Sequence, residues 1–147
     1  MTTTTESRLP APRISPAPIA APFWEAAARR ELVLPFCGAC QNFFFYPRVT
    51  CPHCGSRDVQ WRPASGRGRV HAFCIHHQSP LPGFRDAVPF VSAIVELEEG
   101  PRLMTFLTDV EPDPGVIRCD MPVEVAFTEL EDRQVLPVFR PRPPARA

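Results

Sequence analysis

Lysine is absent from this chain. All 16 basic residues are arginine, and they balance 16 acidic residues, so the formal net charge is zero over 147 residues. A chain without lysine cannot form a Schiff base and cannot contain a phosphate-binding P-loop. A neutral chain is also a poor match to a dedicated nucleic-acid binder, because such proteins need cationic groups to displace phosphate counterions.

Long apolar runs are missing as well. No stretch approaches the roughly 18 consecutive apolar residues that predict a transmembrane helix, so we expect no membrane span. The chain begins with Met and a threonine-rich stretch that does not resemble a secretory signal. With six cysteines, this predicts a protein of the reducing cytoplasm that has room for one ordinary domain or two very small ones.

Four of the six cysteines form two C-x2-C pairs separated by ten residues: Cys37 and Cys40, then Cys51 and Cys54. Four thiolates at this spacing suit one tetrahedral metal ion with no open coordination position, so the predicted metal is structural. Zinc is expected, with iron in a rubredoxin-like site as the alternative. A pair of disulfides is the competing interpretation, which the lack of a secretory signal disfavours.

Each C-x2-C pair should form a tight knuckle. Gly55 follows the second pair and can adopt the positive φ that a knuckle often needs, whereas Gln41 occupies the equivalent position after the first pair. His53 lies inside the second knuckle and is expected to be exposed, because four thiolates already complete the coordination.

The aromatic residues around the knuckles exceed what a small metal module can bury. Phe23 and Trp24 lie in good helix-forming sequence that begins at Pro22, and four more follow the first knuckle: Phe43, Phe44, Phe45 and Tyr46. One interpretation is that they cover the metal and the neighbouring domain. The other is that some of them form a surface for a partner or a ligand.

The second half of the chain predicts a mainly β structure. Five segments have strand composition, and no helical period lies between them: residues 69–78, 90–97, 102–110, 122–130 and 135–139. A closed or nearly closed barrel is the economical arrangement, because closure removes exposed strand edges. The chain is therefore divided into a disordered tail (1–21), a helix with a metal ribbon (22–64), a five-stranded barrel (65–141) and a C-terminal tail (142–147).

Several motifs occur together in one order: P-F-W-E-A, E-L-V-L-P-F-C-G-A-C, C-P-H-C-G-S, A-S-G-R-G-R-V, L-P-G-F, V-E-L-E-E-G-P-R-L-M-T and M-P-V-E-V-A-F. Across residues 22–141 this resembles the acyl-CoA-associated zinc-ribbon/OB-fold family. The resemblance implies an N-terminal helix, a rubredoxin-like zinc ribbon and a five-stranded OB-fold barrel. It also implies that the four cysteines are the zinc ligands, and that Phe23 and Trp24 anchor the helix.

The family's members are commonly accessory subunits of thiolase-superfamily enzymes, including thiolases, acyltransferases and enzymes of retro-aldol cleavage. Some assemble with hotdog-fold enoyl-CoA hydratases. The segment Pro82, Gly83 and Phe84 matches the family's loop between the first two barrel strands. Asp120 stands where the family usually has glycine, and we expect the turn to survive because Asp tolerates unusual backbone angles.

Catalytic candidates are few. Cys74 and His76 would share one face of a strand, as a nucleophile–base pair does, but a core cysteine beside a strand-end histidine is the favoured interpretation. His71 and His77 are expected on the opposite, solvated face. The three acidic residues Glu96, Glu98 and Glu99 are expected to form a solvated strand end and turn.

The lack of a catalytic constellation predicts a chain that is non-catalytic alone, and the family resemblance implies that it stabilises a thiolase-superfamily partner and helps it to form an acyl-CoA site. The alternative is a single-stranded nucleic-acid-binding OB-fold protein, because OB barrels and zinc ribbons both serve that function. A third hypothesis is a stand-alone redox or acyl-transfer enzyme that uses Cys74 or the metal.

Overall fold

The computed structural model describes residues 14–143, which contain one short α-helix and eight strands. The mainly β class with an N-terminal helix is confirmed. The elements are α1 (Ala21–Ala28), β1 (Val33–Cys37), β2 (Asn42–Phe43), β3 (Val59–Pro63), β4 (Arg67–His76), β5 (Phe90–Leu97), β6 (Arg102–Leu107), β7 (Pro122–Glu129) and β8 (Val135–Pro141). No helix within residues 14–143 is long and apolar enough to cross a membrane.

Helix α1 begins one residue earlier than predicted. A 3-10 turn, Pro18–Ala20, leads into it, so residues 18–21 of the predicted tail are regular structure. Pro22 lies in the first turn, where a missing N–H breaks no helical hydrogen bond. Residues 1–13 of the predicted tail lie outside the described residues, as do residues 144–147 of the C-terminal tail.

The metal ribbon is a three-stranded antiparallel sheet with the order β2-β1-β3. Strand β1 ends at Cys37 and so leads directly into the first knuckle. Its residue Phe36 pairs with Phe43 of β2 on one side and with Gln60 of β3 on the other. The central strand therefore holds both edges of the ribbon in register with the cysteines.

The remaining five strands form a closed barrel in the order β4-β5-β6-β8-β7, with β7 returning to β4. The predicted five-stranded OB-fold barrel is confirmed. Strand β5 has the predicted bounds, whereas β6 ends three residues before the predicted Val110. Strands β6 and β8 run parallel and pair at Leu107 and Phe139.

Ribbon and barrel share one apolar core. Leu32 and Leu34, at the start of the ribbon, pack in the same buried cluster as barrel residues such as Val95 and Phe139. Leu34, Val95 and Phe139 have no exposed surface. Burying a side chain of this size contributes about 1.5–3 kcal/mol relative to leaving it exposed, so this core stabilises the ribbon against the barrel.

Side chains bridge the seam between β6 and β8. The hydroxyl of Thr105 donates to the carbonyl of Pro137 at 3.3 Å, and Thr105 is buried. The N–H of Met104 donates to the phenol oxygen of Tyr46 at 3.2 Å. The Thr105 contact thus joins β6 to β8 through a buried side chain, in addition to the pair Leu107 and Phe139. Through Met104, Tyr46 connects the ribbon to the barrel.

Gly66 provides a stability test with a matched control. Gly66 and Gly55 have nearly the same φ, +78° and +77°, but a Cβ at Gly66 would overlap Cγ1 of Val125, whereas no atom lies within 4 Å of a Cβ at Gly55. We expect Gly55→Ala to cost about 1–2 kcal/mol from the left-handed backbone. Gly66→Ala should cost a further 1–3 kcal/mol or so from overpacking. Chemical denaturation measures both, and equal losses would contradict the role of Val125.

Candidate metal centre and aromatic pocket

The four predicted cysteines converge on one point. Their sulfur atoms all lie within 4.8 Å of one another. The sulfurs of Cys37 and Cys54 are 3.6 Å apart, and those of Cys40 and Cys51 are 3.7 Å apart. A tetrahedral zinc ion with bonds of about 2.3 Å to sulfur places its ligands roughly 3.8 Å apart, so this donor set fits one zinc ion. The separations are far longer than a disulfide bond of about 2.05 Å.

The two knuckles have the same backbone geometry. The N–H of Gly55 donates to the carbonyl of Cys51 at 2.9 Å, and the N–H of Gln41 donates to that of Cys37 at 2.9 Å. Gly55 has the predicted positive φ, and Gln41 adopts a φ of +60° although it is not glycine. The Gln41 side chain donates to the carbonyl of Gly38 at 2.7 Å, which helps to hold this less favourable conformation.

Donors within the knuckles point at the sulfurs. The backbone N–H of His53 lies 3.3 Å from the sulfur of Cys51, and the side-chain amide of Asn42 lies 3.5 Å from that of Cys40. The His53 residue itself is exposed, as predicted. Hydrogen bonds of this kind favour the ionised form of a thiol, so they prepare the sulfurs for a cation.

The thiols compete for ionisation. The backbone N–H of Cys40 is the main cause that lowers the pKa of Cys37 to about 7. The N–H of Ser56 favours ionised Cys54, but the neighbouring sulfurs, Cys37 foremost, and burial outweigh it and raise the Cys54 pKa to about 12. Four thiolates cannot coexist this closely without a cation. Metal binding therefore releases protons, and its affinity falls as the pH falls.

Phe44 belongs to the metal centre and not to a contact surface. It is 3% exposed and packs with the buried ligands Cys37 and Cys51. The expectation that Phe44 contributes to a partner surface is therefore wrong. An apolar ring beside a thiolate cluster excludes water, and this stabilises the metal–sulfur bonds.

The other predicted aromatic residues have two different surroundings. Phe43 packs edge-on against Phe36 at a centroid distance of 4.9 Å, and both belong to the ribbon sheet. Phe23 of α1 contacts Phe45 at 5.4 Å, and Phe45 contacts Tyr46 at 4.4 Å. The helix and the segment after β2 therefore meet through aromatic rings, as the anchor interpretation of Phe23 requires.

A pocket of about 200 Å³ lies where helix, ribbon and barrel meet. Four of the predicted aromatic residues line it, and at its rim Tyr46 is 55% exposed and Met104 is 67% exposed. The barrel's share of the lining could not be predicted from the sequence, because these residues come from strands far apart in the chain. The lining residues are Ala20, Phe23, Trp24, Leu32, Phe45, Tyr46, Pro47, Leu103, Met104, Leu136, Pro137 and Phe139.

The catalytic candidates do not assemble. Cys74 is exposed, so the interpretation of it as a core residue is wrong. His76 lies at the end of β4 as expected, but its Nε2 is 2.7 Å from the hydroxyl of Ser92, and its ring stacks on Phe90 at 4.5 Å. Ser92 lies opposite Cys74 on β5 and was not singled out from the sequence. The half-buried His76 is thus engaged by Ser92 and an aromatic ring.

The predicted solvated groups lie at the surface. His71 and His77 are exposed. Glu96 accepts a hydrogen bond from Arg102 at 2.8 Å, and this guanidinium lowers the pKa of the carboxyl group. Glu98 pairs with Arg67 at 3.3 Å. Both carboxylates lie at the surface, as expected, and they also form ion pairs, which contribute little to stability at the surface.

Two details of the predicted loops are visible. Phe84 of the L-P-G-F loop packs against Phe90 and Phe106, with centroid distances of 5.8 and 6.1 Å. Asp120 has a φ of +66°, and its N–H donates to the carbonyl of Val70 at 2.7 Å. The turn therefore survives with Asp in place of glycine.

Two family models match the chain in sequence order. Residues 24–60 match the model described as "ChsH2, rubredoxin-like zinc ribbon domain", and residues 61–128 match "ChsH2, C-terminal OB-fold domain". The chain belongs to the ChsH2/DUF35 zinc-ribbon/OB-fold family. The resemblance found from the sequence motifs is therefore confirmed, and zinc is the metal that the four cysteines are positioned to hold.

Relatives of known description agree with this membership. A "Probable enoyl-CoA hydratase alpha subunit" of Thermomonospora curvata is 43% identical over 83% of this chain, but this chain spans only 37% of that protein. A "DUF35 domain-containing scaffold protein" of Methanothermobacter thermautotrophicus is 36% identical over 65% of this chain and 71% of its own length. A solved structure described as "Ltp2-ChsH2(DUF35) aldolase" is 40% identical, with a TM-score of 0.78, and covers 88% of this chain and 98% of its own.

We expect one zinc ion per chain in freshly purified, reduced protein. Cys51→Ser should unfold the ribbon, because metal binding supplies much of the folding free energy of so small a module. Cys119→Ser is the control, since Cys119 is exposed and outside the cluster. Elemental analysis and circular dichroism check both variants. Wild-type protein with no zinc, or a folded Cys51→Ser ribbon, would contradict the assignment.

Proposed function

We propose that this chain is a non-catalytic accessory subunit of a thiolase-superfamily acyl-CoA enzyme: a thiolase, an acyltransferase or a retro-aldolase. The partner supplies the nucleophile and the base. This chain stabilises the partner and helps to form the acyl-CoA site. The four thiols suit the reducing cytoplasm, where we place the complex.

One observation carries this proposal: an apolar pocket lies where helix, ribbon and barrel meet, in a chain whose metal site has no open coordination position. Tyr46 and Met104 are exposed at the pocket rim, and Trp24 is half-buried beside them. Exposed aromatic and methionine side chains are enriched where proteins bind partners. A zinc ion saturated by sulfur fixes this surface in place but supplies no site for chemistry.

The names of the relatives support an assembly. The structure that is 40% identical couples ChsH2 with Ltp2 in an aldolase, and a relative is described as a scaffold protein. The hydratase-alpha name of the Thermomonospora curvata relative supports a hotdog-fold enoyl-CoA hydratase as a second partner class to test. The thiolase-superfamily class of the main partner rests on the motif resemblance described above.

The alternatives find less support. Some arginines on the barrel surface are paired with glutamates, as in Arg102 with Glu96 and Arg140 with Glu124, and the chain is neutral overall. Without an excess of basic residues, the chain attracts a nucleic-acid backbone only weakly. A stand-alone enzyme based on Cys74 finds little support, because His76, the nearest candidate base in sequence, is bonded to Ser92.

Trp24→Ala tests the contact surface. We expect it to weaken or abolish co-purification with a co-expressed thiolase-like partner, because a truncated central aromatic typically costs about 2 kcal/mol or more of binding free energy. Trp61→Ala is the matched control, since Trp61 is the other tryptophan and lies in β3, away from the pocket. Size-exclusion chromatography measures both. If complex formation is unchanged in Trp24→Ala, that residue is not part of the interface.

Activity assays test whether the partner, and not this chain, carries the catalytic residues. We expect no acyl-CoA turnover by this chain alone, and a large gain in partner activity or solubility when both chains are present. The two chains should co-elute with only weak dependence on salt, since the proposed surface is apolar. Cys74→Ala should leave the activity of the complex within a few-fold. If that variant abolishes activity while folding and assembly persist, Cys74 is catalytic and the accessory-subunit proposal fails.

A further inference from the structure

The pocket is a preformed apolar volume inside a rigid frame. Barrel residues that include Leu103 and Leu136 line it together with residues of the helix and of the segment that contains Phe45. The frame is tied on two sides: Phe45 packs on Phe23, and the Met104 N–H donates to Tyr46. The pocket therefore does not depend on a loop that must first become ordered.

The chemistry of the lining restricts what can enter. None of the 12 lining residues carries a charge. Among the side chains of the lining, only the phenol hydroxyl of Tyr46 and the indole N–H of Trp24 are polar, and the phenol oxygen accepts a hydrogen bond from the N–H of Met104. A charged or strongly hydrated group would lose its hydrogen bonds to water here and gain few in return. An apolar group has no such hydrogen bonds to lose.

The volume of the pocket limits the size of the ligand group that it can hold. A dry apolar cavity of about 150 Å³ accepts a benzene molecule. The pocket has about 200 Å³, which suits a ring of that size with one or two more carbons, or a straight chain of similar volume. It is too small for a strand of a partner protein.

We propose that this pocket binds an uncharged alkyl or aryl group of about six to eight carbons, the apolar end of a ligand whose polar end stays in water. The exposed rim at Tyr46 and Met104 is where the ligand leaves the pocket. The identification of the natural ligand as the acyl part of an acyl-CoA rests on the proposed function. The proposal that this chain binds an apolar group does not rest on it.

Octanoate is a suitable probe, because its hydrocarbon chain fits the volume and its carboxylate can remain outside. The chain has two tryptophans, so the two indole N–H signals in a nitrogen–proton correlation spectrum form a built-in comparison. Trp24 lines the pocket and Trp61 does not. We expect octanoate to shift the Trp24 signal saturably and to leave the Trp61 signal in place. Acetate, which has no chain to bury, should shift neither.

A variant that fills the pocket provides a second test of the proposal. Leu136→Phe adds volume at the lining and should raise the apparent Kd for octanoate about tenfold, as the loss of roughly two methylene groups from an apolar site does. Leu81→Phe is the matched control, because Leu81 is 57% exposed in the loop before β5 and outside the pocket. Unchanged thermal unfolding of both variants would show that they fold.

Three results would overturn the proposal. The first is the lack of a saturable Trp24 shift, and the second is an equal shift of Trp61. The third is an octanoate affinity that Leu136→Phe leaves unchanged. These three measurements use the isolated chain, so a failure of partner assembly cannot imitate them. A separate measurement uses a purified complex: if octanoate shifts the Trp24 signal in the isolated chain but not in the complex, a partner side chain fills the pocket, and the ligand assignment is wrong for the assembly.

Discussion

Four sulfurs brought within 4.8 Å of one another are the constraint on which the rest of the ribbon depends. The ribbon's own buried cluster consists of little more than Cys37, Phe44 and Cys51. So small a core cannot offset the conformational entropy of ordering two knuckles, whereas structural zinc supplies about 10–16 kcal/mol in peptides of this kind. The metal therefore decides whether the segment between the knuckles has one conformation.

That segment transmits the constraint to the barrel. Phe44 packs beside the metal ligands, Phe45 packs on Phe23 of the helix, and Tyr46 accepts the N–H of Met104 in β6. Three consecutive residues thus link metal, helix and barrel. The link meets the barrel at β6, which pairs with β8 at Leu107 and Phe139 and is joined to it again by the hydrogen bond from the Thr105 hydroxyl to the Pro137 carbonyl. Residues of β6 and β8 line the aromatic pocket.

Cys74 and His76 show what the two-residue periodicity of a strand can and cannot predict. The sequence places Cys74 and His76 two residues apart on one strand, and their partners on β5 are Ser92 and Phe90, also two residues apart. Periodicity could not show that Ser92 and Phe90 would engage the imidazole. Nor could it show that Cys74 would be exposed, since burial depends on what covers that face of the sheet.

The sequence alone determined the metal site, the five barrel strands, the helix start to within one residue and the left-handed turns at Gly55 and Asp120. These depend on short spacings and local backbone preferences, which a linear pattern encodes. Only the tertiary structure decided that Phe44 is buried with the metal while Tyr46 is exposed, since four aromatic residues in a row carry no signal that separates them. It also decided that Leu103, Met104, Leu136 and Pro137 complete the pocket with Trp24. They come from a helix and two strands that are distant in sequence, and only the closure of the barrel against the ribbon brings them together.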